Sequence, residues 1–175
     1  MNSAVLQSSR VDSYSELVER LRQSRSDSII LGENAQQFRE FVLLIINCAS
    51  EMKELLRIGI ISEGHGLEPQ YLISEPDKMI VGLNREICLI FFSSPSRILR
   101  REFGSLFYEF MIVESHNVIV VVCEAEVCCL NQRLELLWNV YSDLIIDYKI
   151  SGEHVRIVTD EGAKTYLTIN GRLVV

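Results

Sequence analysis

The feature that most constrains this chain is a set of short, densely apolar runs, each bounded by turn-forming residues. Residues 28–31 (SIIL) stop at Gly32, residues 58–62 (IGIIS) at Glu63-Gly64, and residues 87–92 (ICLIFF) at Ser93-Ser94-Pro95. A fourth run, residues 118–123 (VIVVVC), follows a Ser115-His116-Asn117 turn. Runs of four to six apolar residues without polar alternation describe strands buried on both faces, as in a parallel sheet. None approaches the roughly 18–20 apolar residues that a membrane-spanning helix needs.

The segments between these runs have helical spacing. Residues 34–56 carry Phe38, Phe41, Val42, Ile45 and Ile46 on one face, and residues 98–113 carry Phe103, Phe107, Phe110 and Met111. Residues 131–140 read as a further helix. Strand, helix and strand within about 35 residues is the spacing of a βαβ unit. Upstream, Leu17, Val18 and Leu21 with the capping pair Ser13 and Glu16 predict a short amphipathic helix from Tyr14. Residues 1–12, polar and serine-rich, are expected to form a loose tail, and residues 13–175 a single domain.

Residues 67–84 hold two prolines and predict only a small helix and a brief strand. The last third changes character. Four short runs (143–148, 154–159, 164–169 and 172–175) are separated by Ser151-Gly152, Asp160-Glu161-Gly162 and Asn170-Gly171, which is turn chemistry. His154, Arg156 and Val158 alternate with Val155, Ile157 and Thr159, so an antiparallel β meander is expected to close the chain. No internal repeat is visible.

Composition narrows the function classes. Seventeen Lys and Arg against 24 Asp and Glu give a net charge of −7, which works against a strong stand-alone nucleic-acid binder. Arg97, Arg100 and Arg101 are the one local basic cluster and the candidate nucleic-acid contacts. The start of the chain lacks the charged and apolar pattern of a secretory signal. Five cysteines at irregular spacing read as buried thiols in a reducing, cytoplasmic setting. Cys123, Cys128 and Cys129 with His116 fit no usual metal-ligand spacing, and no metal or cofactor is expected.

The order of parts resembles the RecA-like ATPase core, in particular its archaeal RadA and KaiC-like branch, over residues 28–175. In that family a strand runs into a phosphate-binding loop, G-x-x-x-x-G-K-[ST], whose amides and lysine hold the phosphates. The matching stretch here keeps Gly32, but Gln37 replaces the second glycine, Phe38 the lysine and Arg39 the hydroxyl. Glu63 matches the carboxylate that orients water in RadA-like proteins. Ser93 stands where the magnesium-associated strand would end in Asp. The resemblance therefore implies a three-layer α/β/α fold with a mainly parallel sheet and a C-terminal meander, whose ATP site is lost.

A RecA-like pseudo-ATPase of this kind implies a non-catalytic partner or regulator, pairing with itself or with an active RecA-family ATPase in recombination or DNA repair. The alternative is an inactive RecA-like scaffold subunit of an RNA-modification or signalling assembly. An enzyme of another class would have to use Cys123 or Cys128 with His116, Ser93 with a distant base, or the carboxylates of Glu124 and Glu126 around a metal. No surrounding motif supports these, and no enzymatic activity is expected.

Overall fold

The computed structural model describes residues 4–24, 26–33, 39–51 and 53–174. It overturns the expected fold class. Among the described residues there are a single α-helix and one 3-10 turn, and the rest of the regular structure is strand in four mostly antiparallel sheets. The RecA-like α/β/α core with a parallel central sheet does not form, and with it goes the resemblance to the RadA and KaiC-like branch. Recombination and repair lose their support in the same step.

Chain contacts divide the protein into two compact units, residues up to Asn84 with Cys88–Ile98, and Arg85–Ile87 with the residues from Leu99 onward. In the first unit, strands β1 (Ala4–Val11), β2 (Asp27–Leu31), β3 (Glu40–Cys48) and β4 (Glu54–Ser62) form a sheet in the order β1-β3-β4-β2. The residues read as a loose tail are β1, which pairs antiparallel with β3 from Ala4↔Cys48 to Val11↔Phe41. Strands β2 and β4 run parallel, from Asp27↔Leu56 to Leu31↔Ile60.

The helix expected over 34–56 is β3 from Glu40 onward; residues 34–38 lie outside the described residues. The misreading has a physical cause. Val42, Leu44, Ile46 and Cys48 alternate with Phe41, Leu43 and Ile45, and both sets are covered. Val42, Leu44 and Ile46 pack into the main core. The other set packs with helix α1 (Tyr14–Arg22). A strand buried on both faces is apolar throughout, so its period of two vanishes and a helical stripe can be drawn through it.

Helix α1 forms where the sequence placed it. Ser13 caps it, its hydroxyl accepting from the Glu16 amide at 3.2 Å, while the Glu16 carboxylate accepts from the Asp12 amide at 3.3 Å. Leu17 and Leu21 are its buried residues. They lie on β4 at Gly59, where a Cβ would stand 2.9 Å from Leu21 Cδ1 and 3.1 Å from Leu17 Cδ2. Glycine there lets the helix approach the sheet, and the two leucines together contribute about 3–6 kcal/mol of burial.

The remaining strands are β5 (Gln70–Glu75), β6 (Lys78–Leu83), β7 (Glu86–Phe91), β8 (Ile98–Glu102), β9 (Phe107–Val113), β10 (Val118–Cys123), β11 (Glu126–Leu130), β12 (Leu136–Tyr141), β13 (Asp147–Ile150), β14 (His154–Thr159) and β15 (Gly162–Leu167). Their sheet orders are β5-β6-β7-β8, β12-β11-β10-β9 and β13-β14-β15. The expected helices at 98–113 and 131–140 are thus β8 with β9, and a turn with β12. The expected C-terminal meander is present as β13-β14-β15.

The chain is also internally repetitive, contrary to the sequence reading. Strands β6, β10 and β14 are each six residues long, and each is followed after two residues by the next strand, β7, β11 or β15. The three hairpins begin 40 and then 36 residues apart, a period at which each repeat supplies one small sheet. Backbone bonds repeat with them. Phe92 N–H donates to Asp77 O (2.7 Å), and 76 residues later Thr168 N–H donates to Glu153 O (2.9 Å). Phe103 N–H bonds the first hairpin's turn at Arg85 O (2.7 Å), as Ser142 N–H bonds the second's at Ala125 O (3.0 Å).

In the second unit, the β9-β12 and β13-β15 sheets share a core. Val118, Val120 and Val122 of β10 and Val127 and Cys129 of β11 pack with Val155, Ile157 and Tyr166. Trp138 and Val140 of β12 lie against the same core. A bulge between Cys129 and Leu130 leaves Leu137 as the extra residue of β12, since Cys129 opposes Trp138 and Leu130 opposes Leu136.

Candidate functional site

Gly32 and Glu63, singled out as remnants of an ATP site, have structural roles in the loops at the ends of β2 and β4. Gly32 stands at the end of β2 with φ +80°, against the Ile61 carbonyl of the parallel strand β4. Glu63 follows β4; its amide donates to Asn84 Oδ1 (2.8 Å) and its carboxylate meets His65 Nε2 at 2.8 Å. Asn84 Nδ2 in turn donates to Ile61 O at 3.2 Å. These bonds tie the end of β4 to the β6–β7 turn, a loop-anchoring network. Arg39 is half-buried just before β3. Gln37 and Phe38 lie outside the described residues. A phosphate loop leads into a helix N-terminus, whereas the element that follows here is the strand β3. Ser93 sits exposed in the turn after β7.

The three arginines do not make one basic stripe. Arg97 lies over the Phe91 ring at 5.1 Å from its centroid. Arg100 and Arg101 are neighbours on β8 and so point to opposite faces. Arg100 pairs with Glu86 at 3.3 Å, and Arg101 is half-buried. The helix face on which they were expected is a strand.

The cysteines are buried, all five as free thiols. Burial pushes Cys123 far up, with Cys128 and Glu126 adding to it. Burial, with Glu126 adding and Arg101 opposing, pushes Cys128 up to about 12, and burial alone pushes Cys129 up to about 11. Thiols held protonated at neutral pH are poor nucleophiles and poor metal ligands. His116 is exposed in a 3-10 turn, and no group of metal-ligating side chains gathers among the described residues.

Glu124 and Glu126 do not share a face around an ion. Glu124 belongs to the two-residue turn between β10 and β11, where its backbone bonds Leu106 O and Ile145 N, both at 2.7 Å. Glu126 is buried and accepts from the Gly104 amide at 2.8 Å. It fastens the chain entering β9, and Ser105 Oγ adds a bond from the Ala125 amide at 3.0 Å. A shallow cleft of about 300 Å³ in the first unit, lined by Ser8, Arg10, Glu40, Glu68 and Tyr71, is crowded by the Arg10–Glu68 ion pair.

Two features escaped the sequence reading. The first is the outermost strand of the β9-β12 sheet. Leu136–Tyr141 reads LLWNVY, without a charge, and Leu136, Leu137 and Tyr141 are exposed, Tyr141 at 75%. Leu144 and Ile146 continue the exposed apolar run. The corresponding last strand of the preceding meander, β8, reads ILRRE. The signal lies in the uncharged six-residue run, most of which falls inside the helix expected over residues 131–140. The second feature is the direct opposition of Lys149 and Arg156 on β13 and β14.

No helix among the described residues is long and apolar enough to cross a membrane. The chain matches no protein-family model and no curated protein.

Proposed function

We propose that the protein is a non-catalytic assembly subunit that pairs with a second copy of itself through the edge of β12. The observation that carries this reading is the contrast between β8 and β12. Sheet edges are normally protected by charge, and β8 follows that rule with Arg100, Arg101 and Glu102. Strand β12 occupies the same last position in the next meander and carries no charged residue.

A two-fold axis favours this strand as its own partner. Antiparallel pairing of β8 with its copy about Arg100 would set arginine against arginine, which is unfavourable. Strand β12 faces no such conflict in any register. Beyond the bulge at Leu137, residues 138–141 offer a regular edge. Their backbone is held ready: Trp138 and Val140 pack into the core, and Trp138 Nε1–H donates to Thr168 O at 2.9 Å. Pairing would join two four-stranded sheets into one of eight strands and cover Leu137 and Tyr141.

The thiols of Cys123, Cys128 and Cys129, pushed up by burial, support a binding role over nucleophilic chemistry at those positions, and five unpaired cysteines suit a reducing, cytoplasmic compartment. Sedimentation equilibrium tests the pairing. The wild-type chain should sediment at twice its 20.0 kDa, and Leu137→Lys or Tyr141→Lys at the monomer mass. A wild-type monomer at all concentrations would refute it.

A further inference from the structure

We infer that the outer face of the β13-β14-β15 sheet docks an acidic segment of a partner protein, with Lys149 and Arg156 as its two anchors. This is a separate surface from the β12 edge and does not depend on the pairing proposed there.

The face is defined by register. Ile150↔Val155↔Tyr166 and Tyr148↔Ile157 lie on the core side. The alternate sets, Lys149↔Arg156↔Thr165, Asp147↔Val158↔Ala163 and His154↔Leu167, therefore face away from it. Lys149 and Arg156, both exposed, stand directly opposite one another. Like charges in that position repel, so the sheet is less stable for holding them. Neither side chain has an ion pair or hydrogen bond among the described residues.

Five other bases carried on strands are neutralised, whereas Arg101 of β8, like Lys149 and Arg156, has no ion pair among the described residues. Arg10 pairs with Glu68, Arg57 with Glu54, Lys78 with Glu75, Arg100 with Glu86 and Lys164 with Glu161. In a protein with 24 acidic residues against 17 basic ones, a carboxylate for this pair is within easy reach of the sequence. The position opposite Arg156 on β15 holds Thr165 instead. A local rule broken without an internal gain points to a requirement outside the chain.

The rest of the face tells what kind of ligand fits. Val158 and Leu167 are partly exposed and Ala163 fully so, giving an apolar floor beside the two cations. Asp147 flanks Lys149 on the same face, its Oδ1 accepting from the Tyr148 amide at 2.9 Å. A phosphate backbone needs a run of cations, and this face carries only two. An extended segment with carboxylates at alternate positions and apolar residues beside them matches both the charge and the floor.

The test uses the full chain and a fluorescein-labelled eight-residue peptide of alternating Val and Glu, followed by fluorescence anisotropy. An oligothymidylate of equal net charge serves as the nucleic-acid arm. The peptide should bind, weaken as salt is added, and lose about tenfold or more in affinity with Lys149→Glu and with Arg156→Glu. Lys53→Glu, at an exposed site on the first unit, should leave binding unchanged. Lys149→Glu also converts a repulsive pair into an attractive one, so its melting temperature should rise while binding falls, which separates lost docking from lost folding. Leu137→Lys should bind the peptide normally. Unchanged affinity in Lys149→Glu and Arg156→Glu, or tighter binding of the oligothymidylate, would overturn the inference.

Discussion

A Cβ on Gly32 would lie 2.1 Å from the carbonyl oxygen of Ile61, so the end of β2 rests on the backbone of β4. With φ at +80° the residue is also in the left-handed region. Both facts demand glycine for reasons of packing, where the resemblance had offered phosphate binding. Gly32→Ala should cost about 2–4 kcal/mol, read from the urea midpoint. Gly66, at φ +77° with open space around it, supplies the control. Alanine there should cost about 1–2 kcal/mol, the backbone term alone.

Acid sensitivity should centre on Glu54. Burial raises its carboxyl, but bonds from Arg57, Ser24 and Ser26 outweigh this and hold it below the usual value. Arg57 binds both oxygens, Nε to Oε1 and a terminal nitrogen to Oε2, each at 2.9 Å. A depressed folded-state pKa contributes stability that is present above the unfolded value of about 4.3 and lost as pH falls through the folded one. Glu54→Gln should therefore flatten the acid limb of a plot of melting temperature against pH. An unchanged limb would remove Glu54 from the account.

The thiols give a readout of fold integrity. Cys123, Cys128 and Cys129 are buried and shifted up, Cys128 to about 12 and Cys129 to about 11. Iodoacetamide at pH 8 should leave these three unmodified in the native protein and alkylate them in denaturant, with mass spectrometry locating the adducts. Rapid native labelling at Cys123 would reopen the nucleophile reading.

Glu126 should matter for stability through the acceptor it offers Gly104. Glu126→Ala leaves that amide without its partner and should cost about 1–3 kcal/mol, measured by thermal unfolding. Glu126→Gln keeps an acceptor oxygen and should cost less than Ala. Equal losses would mean that the bond contributes little.

Several elements were legible in the sequence, including the strands at 28–31, 58–62, 87–92 and 118–123, the capped helix at Tyr14 and the closing meander. The rest failed for identifiable reasons. β3 hides its alternation because α1 covers one face and the main core the other. In β9, the register slips between Val122↔Glu109 and Cys123↔Phe107, so Tyr108 is an extra residue. That bulge puts Phe107 and Phe110, three apart, both in the core with ring centroids 6.2 Å apart. A strand thereby acquires helix-like spacing. In β12 the bulge at Leu137 interrupts the alternation and leaves Leu136 and Leu137 both exposed.

The repeat was hidden by its turns. Asn84-Arg85, Glu124-Ala125 and Asp160-Glu161 join equivalent strands, yet no residue type recurs at the same turn position and only the third carries a following glycine, Gly162, at positive φ. Turn chemistry alone could reveal one hairpin out of three. At the level of sites, the glycine and acid read as ATP-site remnants do lie at neighbouring strand ends. Their neighbourhood reflects the parallel pairing of β2 with β4.

Self-pairing requires the edge of β12 to be free in the monomer, and amide hydrogen exchange of that strand measures it directly. Exchange at residues 138–141 should slow as protein concentration rises, and should stay fast at every concentration in Tyr141→Lys. Exchange at these amides that is independent of concentration in the wild-type chain would contradict the proposed pairing.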